Sequence, residues 1–458
     1  MLSRVRRLKP TVKNKAQIKA AGLFRTYPLP FASANGLLER TDNNSFINDL
    51  IINTALMKHI IILGDGMADE PLPQFGGKTP LQMARKPNID KLARLGRTGK
   101  LITVPDNMSP GSEIANLAVL GYDVEKVYEG RGVLEAASMG VSLGPGDLAL
   151  RCNIMTLENS NIKNHSAGHI STAEASELID LLNRELGTDE ITFYPGVSYR
   201  HLLVMKNGSK EIGCTPPHDR PGAPFRDYLV RPLTKEAAGT AHKLNKLIME
   251  SQPLLEQHPV NLKRESEGKD PGNSIWLWSP GYKPVMPTMK DLFGINSAAV
   301  ISAVDLIQGI GIYAGMEVIK VEGATGLYDT NYEGKAVAAV NALKSKDFVY
   351  LHVEASDEAG HEGDVELKTR TIEYLDSRVV KYITEETRKM DEDVAIAVLP
   401  DHPTPCATKV HTREAVPFLI YWPGVEPDSV EVFDEFSTLK GYYGQLTNGQ
   451  FIRTFLGK

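Results

Sequence analysis

The segment VAIAVLPDHPTP, residues 394–405, decides the fold class. Its first half is a run of small and branched apolar residues, which is typical of a strand buried on both faces. The run ends at Pro400, and the next two residues are Asp401 and His402. In an open α/β sheet, functional side chains lie at the carboxyl ends of the strands. The segment therefore indicates an α/β sheet with a polar site at the end of this strand.

Two more apolar runs end in the same way. Residues 59–63 (HIIIL) lead into Asp65, and residues 348–353 (FVYLHV) lead into Asp357 and His361. Carboxylates and imidazoles together favour divalent ions such as manganese, magnesium, zinc or cobalt, and we expect two of them. The predicted ligands are Asp65, Asp357, His361, Asp401, His402 and His411.

The spacing of these residues supports a metal site, although each has an alternative interpretation. Asp357 and His361 are four residues apart, which places them on one face if the segment is helical. Alone, they could be a solvated surface pair, and Asp65 between two glycines is a typical turn residue. Three strand ends with the same chemistry favour the metal site. His201 and His352 lie inside strand patterns and are expected to be structural.

The remaining pattern predicts two domains. Strands and helices alternate in residues 57–145 and again in residues 290–458, which predicts one α/β domain made from both ends of the chain. Residues 146–289 have an α+β pattern, with pairs of strands on either side of a helix, and we predict that they are inserted into that domain. Within them, the polar segment 252–273 is expected to be a loop.

The composition is that of an ordinary folded protein. Of 458 residues, 42% are hydrophobic and 24% charged. The apolar runs have strand length, so no membrane span is expected. Three separated cysteines suggest no disulfide framework, which favours a reducing cytoplasm. The net charge of −6 argues against a nucleic-acid partner.

The first 56 residues differ from the rest. They are basic, with no acid before Glu39, whereas the chain as a whole is acidic. Such a segment could be an organellar transit peptide, or it could be an extension upstream of a true initiator at Met57. We favour the extension, and we expect residues 1–56 not to be part of the fold.

Ser112 is a candidate nucleophile. It begins an apolar helix, and a helix N-terminus offers free N–H groups to a phosphate. A serine beside a divalent ion can attack phosphorus, but serine is also a common N-cap. Arg131, Arg200 and Lys335 are candidate clamps for an anionic substrate, or else members of surface ion pairs.

Six stretches occur in the order found in one known family. They are GDGM at 64–67, PGSE at 110–113, GRG at 130–132, TGLYDTNY at 325–332, DEAGH at 357–361 and DHPTPC at 401–406. Together they resemble the cofactor-independent phosphoglycerate mutases of the archaeal type, in the alkaline phosphatase superfamily. The resemblance runs from Met57 to near the C-terminus. It implies an alkaline-phosphatase-like, three-layer α/β/α sheet domain, with an inserted α+β domain that binds the substrate.

The resemblance also implies roles for single residues. Ser112 would be the phosphorylated nucleophile, and Lys335 would lie near the transferring phosphate. One divalent ion would be bound by Asp357, His361 and His411. The other would be bound by Asp65, Asp401, His402 and the Ser112 oxygen.

The sequence departs from the family in its substrate region. The family usually has histidine four residues after the nucleophile, where this chain has Asn116. The usual Asp-Arg-Ser-Ala-Gly-Arg run is NHSAGH here, residues 164–169, so His165 and His169 replace two arginines. Because histidine lacks the fixed charge of arginine, the identity of the substrate is the open question.

The expected activity is phosphoryl transfer through phosphoserine. We predict interconversion of 3-phosphoglycerate and 2-phosphoglycerate without bisphosphoglycerate, in the cytoplasm. The alternative is the same machinery acting on another hydroxyl substrate, as in a homoserine-kinase-like bacterial branch; a plain phosphatase and a non-catalytic metal protein are less favoured. The expected partner is a small phosphorylated or hydroxylated metabolite, and the oligomeric state is left open.

Overall fold

The computed structural model of the protein describes residues 57–447 and 449–458. The predicted extension, residues 1–56, lies outside them. In the described part of the chain, no helix combines the length and the apolar character needed to cross a bilayer. The strands are β1 Lys58–Gly64, β2 Arg97–Leu101, β3 Asp147–Glu158, β4 Asn161–Asn164, β5 Ile191–Val197, β6 Arg200–Lys206, β7 Ile212–Gly213, β8 Arg231–Pro232, β9 Ser274–Gly281, β10 Ala298–Ile301, β11 Glu317–Val318, β12 Phe348–Val353, β13 Val394–Leu399, β14 Val416–Tyr421 and β15 Gln445–Leu446.

The α-helices alternate with the strands mainly at the two ends of the described chain. They are Pro80–Met83, Pro87–Leu95, Ser112–Val119, Val124–Val127, Arg131–Ser138, Thr172–Leu186, Ala238–Glu256, Pro259–Ser266, Met289–Phe293, Asp305–Tyr313, Tyr332–Leu343, Ala355–Glu362, Val365–Tyr374, Lys381–Thr387 and Gln450–Phe455. A π-helical segment, Leu375–Val380, joins two of them, and the short 3-10 helices are Pro73–Phe75, Pro217–Asp219, Phe225–Tyr228 and Ser437–Lys440.

The larger sheet has eight strands in the order β11-β10-β12-β1-β13-β14-β2-β15. Strand β1 is parallel to both of its neighbours, β12 and β13, so the three strands end at the same edge. Strand β14 is antiparallel to β13 and to β2. The sheet draws its strands from both ends of the described chain, which confirms the predicted α/β class.

Helices cover both faces of this sheet. Ile61 and Leu63 of β1 belong to one apolar cluster, which includes residues of helices Ser112–Val119 and Asp305–Tyr313. The alternate residues of β1 belong to a second cluster, together with helix Tyr332–Leu343. A parallel strand covered on both faces must be apolar on both, which explains the unbroken apolar run of β1. The predicted three-layer α/β/α architecture is therefore confirmed.

A second sheet is formed by β4, β3, β6 and β5, with β9 also paired to β3, and its pairs are antiparallel. Leu150 and Cys152 of β3 share a core with helices Thr172–Leu186 and Ala238–Glu256. Ala149, on the opposite face of β3, belongs to a core shared with the larger sheet. One face of the second sheet therefore points toward the larger sheet.

The prediction of a loop at residues 252–273 was wrong. Helix Ala238–Glu256 continues through its proline, and a second helix, Pro259–Ser266, follows. Polar residues hold this segment in place: the buried Asn261 side chain donates a hydrogen bond to the backbone oxygen of Leu255. The polar composition of the segment indicated a loop, whereas hydrogen bonds such as this one stabilise its helices.

Candidate active site

The site is built on the ends of three adjacent strands. Gly64 of β1 is paired in register with Val353 of β12, and Leu63 of β1 with Leu399 of β13. The residues that follow these strands must therefore leave the sheet side by side. This edge is where a parallel α/β sheet places functional groups.

The first group of predicted metal ligands converges at this edge. Helix Ala355–Glu362 begins just after β12 and places Asp357 and His361 on one face, with their side chains 3.2 Å apart. His411 Nε2 lies 3.3 Å from Asp357 Oδ1 and 2.8 Å from His361 Nε2. The three side chains each offer a ligand atom within 4.8 Å of the others. Two imidazoles and a carboxylate are a donor set that suits zinc, manganese or cobalt.

Hydrogen bonds orient these ligands. His361 Nδ1 donates to the backbone oxygen of Lys409 at 2.9 Å, which leaves Nε2 free to bind an ion. The Thr404 hydroxyl donates to Asp357 Oδ1 at 2.5 Å. Burial alone would raise the pKa of Asp357, but hydrogen bonds from His361 and His411 hold it well below its ordinary value. Asp357 is therefore a carboxylate that is ready to bind a cation.

A second group comprises Asp65, Asp357 and His402, whose ligand atoms also lie within 4.8 Å of one another. Asp65 Oδ1 lies 3.5 Å from His402 Nε2 and is buried without a hydrogen-bond partner in the described part of the chain. Burial, and then the charges of Asp401 and Asp357, raise the pKa of Asp65 well above its ordinary value. A bound cation would offset this repulsion. The unpartnered oxygen and the clustered charges therefore fit a divalent ion.

Asp401 lies beside this second group. Its Oδ1 accepts hydrogen bonds from the backbone N–H groups of Gly66 at 3.1 Å and His402 at 2.9 Å. Its Oδ2 accepts one from Asn116 at 2.8 Å and lies 3.4 Å from His402 Nε2. All six predicted ligands thus converge at one edge of the sheet, with Asp357 positioned between the two groups.

Ser112 faces the second group. It is the first residue of helix Ser112–Val119, and its Oγ lies 3.2 Å from His402 Nε2. The side chain of Asn116 donates to the Ser112 backbone oxygen at 2.8 Å as well as to Asp401. Asn116, where the resembled family usually has histidine, therefore ties the start of this helix to the metal-ligand loop.

Two residues of β12 support the site without having been predicted. His352, which we expected to be merely structural, has its Nε2 2.8 Å from Asp65 Oδ2. Tyr350 donates to Asn116 Oδ1 at 2.6 Å. Burial lowers the pKa of His352 to about 3, so its imidazole is neutral and shares a hydrogen bond with Asp65. The available signal was their spacing, because residues two apart on a strand share one face.

The predicted cationic clamps have different environments. Arg131 Nε and Nη2 donate to the two carboxylate oxygens of Glu113, at 2.9 and 3.1 Å. Lys335 is buried and its Nζ donates to the backbone oxygen of His352 at 3.4 Å, and burial lowers its pKa to about 8. Arg200 is exposed. Lys335 thus lies beside the end of β12, the strand that leads to Asp357. Nε and Nη2 of Arg131 are instead engaged by Glu113, the residue after Ser112.

His165 and His169 both lie near one tyrosine. Their ring centres are 5.8 and 6.3 Å from that of Tyr199, and the Arg200 guanidinium is 5.6 Å from the same ring. His165 is also 5.9 Å from His218. The structure therefore brings these predicted substrate residues together in a second cluster, beside the second sheet.

Comparisons with known proteins agree with this geometry. Residues 93–261 match the family model described as 2,3-bisphosphoglycerate-independent phosphoglycerate mutase. A protein of that name from Methanosarcina acetivorans is 53% identical over 390 residues, which cover 85% of this chain and 96% of the relative. A probable one from Geobacter sulfurreducens is 50% identical over 80% of this chain and 90% of the relative.

Solved structures also match this chain over most of its length. A Pyrococcus horikoshii protein matches with a TM-score of 0.74 and 30% identity, covering 88% of this chain and 97% of that one. The cofactor-independent phosphoglycerate mutase of Thermoplasma acidophilum matches with a TM-score of 0.60 and 28% identity, covering 88% and 99%. The site geometry and these likenesses agree, and the chain belongs to the family of 2,3-bisphosphoglycerate-independent phosphoglycerate mutases.

Proposed function

We propose that this protein interconverts 3-phosphoglycerate and 2-phosphoglycerate through a phosphoserine at Ser112. The names of relatives about 50% identical support the mutase, and they do not favour the homoserine kinase alternative. No bisphosphoglycerate is needed, because the serine itself carries the phosphoryl group between the two positions.

The observation that carries this proposal is the position of the Ser112 hydroxyl. It lies 3.2 Å from His402 Nε2, at the start of a helix and beside the ligand group of Asp65, Asp357 and His402. A helix N-terminus favours the charge of a phosphoryl group through its free N–H groups and its dipole. The candidate nucleophile, Ser112, therefore lies at a position that favours the binding of an anionic group.

The reaction is balanced, because the proton that Ser112 releases is returned to the leaving oxygen of the substrate, and the second step reverses this exchange. Ser112 Oγ gives up its proton and attacks phosphorus, and the bond between phosphorus and the 3-oxygen of the substrate breaks. That oxygen takes up a proton, so glycerate is formed and reorients within the site. Its 2-hydroxyl then loses a proton and attacks the phosphoserine, which restores the Ser112 hydroxyl. Lys335, buried beside the end of β12, is the residue we assign to the charge of the phosphoryl group.

Two divalent ions belong to this proposal. We assign one to Asp357, His361 and His411, and the other to Asp65, Asp401 and His402 together with Ser112. When bound, such ions would neutralise phosphoryl charge and favour the ionised form of the serine hydroxyl. Manganese, magnesium, zinc and cobalt are all compatible with these donors.

The proposal extends to the second sheet. We infer that residues 146–289 form an inserted, substrate-binding domain, because all five strands of that sheet fall within them. Arg131, His165, His169 and Arg200 are the residues that we assign to the substrate. A small phosphorylated metabolite as the partner, and a cytoplasmic location, are further parts of the proposal.

The test is an assay of the purified full chain with manganese and 3-phosphoglycerate, in which 2-phosphoglycerate should form without added bisphosphoglycerate. Phosphorylation of homoserine with a nucleotide is measured in parallel. Formation of phosphohomoserine without any mutase activity would overturn the proposal. Acid-quenched protein should carry phosphate on Ser112, and the absence of this phosphoserine would reject the route through the serine.

A further inference from the structure

We propose that Arg151 binds the carboxylate of the substrate, a role that rests on the function proposed above. Neither the sequence motifs nor the comparisons assign a role to this residue. It is the buried arginine of the cluster that contains His165, His169 and Arg200. In this role Arg151 supplies fixed positive charge in a region where this chain has two histidines.

Strand β3 directs Arg151 toward the larger sheet. Its neighbours Leu150 and Cys152 point into the core beneath the helices of the second sheet. Because side chains alternate along a strand, Arg151 must point to the other face. Ala149, on that face, packs into the core shared with the larger sheet. Arg151 therefore projects from the face of the second sheet that points toward the larger sheet.

Arg151 is nearly buried but incompletely paired. Its side chain is 9% exposed, its Nη1 lies 3.3 Å from Glu135 Oε1, and its Nε has no hydrogen-bond partner in the described residues. Arg264, the other strongly buried arginine of residues 146–289, shows the contrast, because its Nε, Nη1 and Nη2 all donate hydrogen bonds within the protein. A buried charged donor without a partner is costly. An anionic ligand would provide that partner.

The neighbouring arginine is not equally available. Arg131 has both carboxylate oxygens of Glu113 as partners, and Tyr128 donates to the same carboxylate. Arg131 and Arg151 flank the ring of Trp278, with their guanidinium carbons 6.0 and 5.0 Å from its centre. Of these two arginines, Arg151 is the one with a buried donor that has no partner in the described residues.

The aromatic side chains near Arg151 suit a binding site for a planar anion from which water is excluded. Trp278 is held by a 3.1 Å hydrogen bond from its Nε1 to Asn153, and His218 packs edge-on against its ring at 5.5 Å. Aromatic walls exclude water, which strengthens a charge-assisted hydrogen bond. A guanidinium matches a carboxylate because it can donate two parallel bonds.

The position of Arg151 relative to Ser112 favours the carboxylate of the substrate, rather than its phosphoryl group, as the ligand of Arg151. The phosphoryl group must lie at Ser112 to react. A series of contacts leads from Glu113, the residue after Ser112, through Arg131 and Trp278 to Arg151. We infer that Arg151 faces the end of the substrate that is remote from the reacting phosphorus. The carboxylate is the other anionic group of phosphoglycerate, and Arg151 is placed to receive that distal end.

The test compares Arg151→Lys and Arg151→Met in the full, manganese-loaded protein. Arg151→Lys keeps a positive charge beside Glu135 and so protects the fold, but lysine cannot make the two-pronged contact. We expect the KM for 3-phosphoglycerate to rise about 10- to 100-fold in Arg151→Met, since a hydrogen bond to a charged group has this strength. A smaller rise is expected for lysine. The inhibition constant of glycerol 3-phosphate, which lacks the carboxylate, should stay nearly unchanged in both variants.

The matched control is Arg184→Met, an exposed arginine bonded to Glu185, which should leave both constants unchanged. The inference is overturned if the KM is unaffected in both Arg151 variants, or if the two ligands lose affinity equally. Failure of the unmodified protein to form 2-phosphoglycerate would instead reject the proposed function, so the two failures are distinguishable.

Discussion

His352 Nε2 lies 2.8 Å from Asp65 Oδ2, and both side chains are fully buried. The other ring nitrogen of His352 is 3.2 Å from the Ser302 hydroxyl, which fixes the ring from the opposite side. With Oδ2 engaged in this way, the free Oδ1 of Asp65 is the atom that lies near His402. A strand residue thus orients a carboxylate of the metal-ligand group.

The His352→Ala variant should therefore bind metal more weakly. Loss of a residue that orients a ligand typically lowers metal affinity about 10- to 100-fold. The measurement is the dissociation constant for manganese, determined by titration of the metal-free protein. The control is His201→Ala, since His201 is also a buried strand histidine but accepts a hydrogen bond from Gly196 in the second sheet. Equal metal affinity in the two variants would show that His352 has no orienting role.

Ser112→Ala should abolish phosphoryl transfer, by at least about a thousandfold, as expected when a nucleophile is removed. Metal content and thermal stability should stay close to those of the unmodified protein. Ser266→Ala is a matched control, because the Ser266 hydroxyl only donates to a backbone oxygen at an exposed helix end. Mutase activity near the unmodified rate in Ser112→Ala would refute the phosphoserine route.

Removal of the metal should lower the melting temperature as well as the activity. Asp65, Asp357 and Asp401 are buried close together, and without cations their mutual repulsion is unbalanced. A ligand present at a hundred times its dissociation constant stabilises the folded state by about 2.7 kcal/mol. Thermal unfolding with increasing manganese should follow that dependence, and the shift should be smaller in Asp65→Asn. A melting temperature that does not change with the manganese concentration would contradict the assigned sites.

Lys368 is expected to be important for stability. Its buried Nζ donates to Asp69 at 2.7 Å and to the backbone oxygens of Ala68 and Thr404, joining the loops that follow β1 and β13. Lys368→Met leaves the buried Asp69 without its counter-charge, and breaking such a pair costs about 3–5 kcal/mol. The measurement is the free energy of unfolding in denaturant.

Lys389→Met is the control for Lys368, because it breaks an ion pair of the same 2.7 Å length at the surface. An exposed pair contributes only about 0–1 kcal/mol. Similar losses of stability in the two variants would mean that burial does not set the strength of the Lys368 pair.

The sequence was sufficient to predict the α/β class and to pick out six candidate ligands that converge in the structure, because a buried parallel strand is visible as an apolar run and most of the candidates follow such a run closely. His352 was misjudged for the same reason: inside an apolar run it resembles a core residue, and its partner is 287 positions away. The antiparallel strand β14 depends on long-range pairing with β13 and β2, which no local pattern reports.

His165 and His169 provide the last test. Both lie near Tyr199, and burial lowers the pKa of His165, so His165 is uncharged at neutral pH. Replacing both with arginine adds fixed charge and two-pronged donors, and the KM for 3-phosphoglycerate should fall by a factor of about ten. This decrease in KM should be smaller at high salt, since exposed charges are screened.

The control is His242→Arg, which adds a charge at an exposed site on helix Ala238–Glu256 and should leave the KM unchanged. A higher KM in the double variant would show that the histidines are suited to phosphoglycerate as they are.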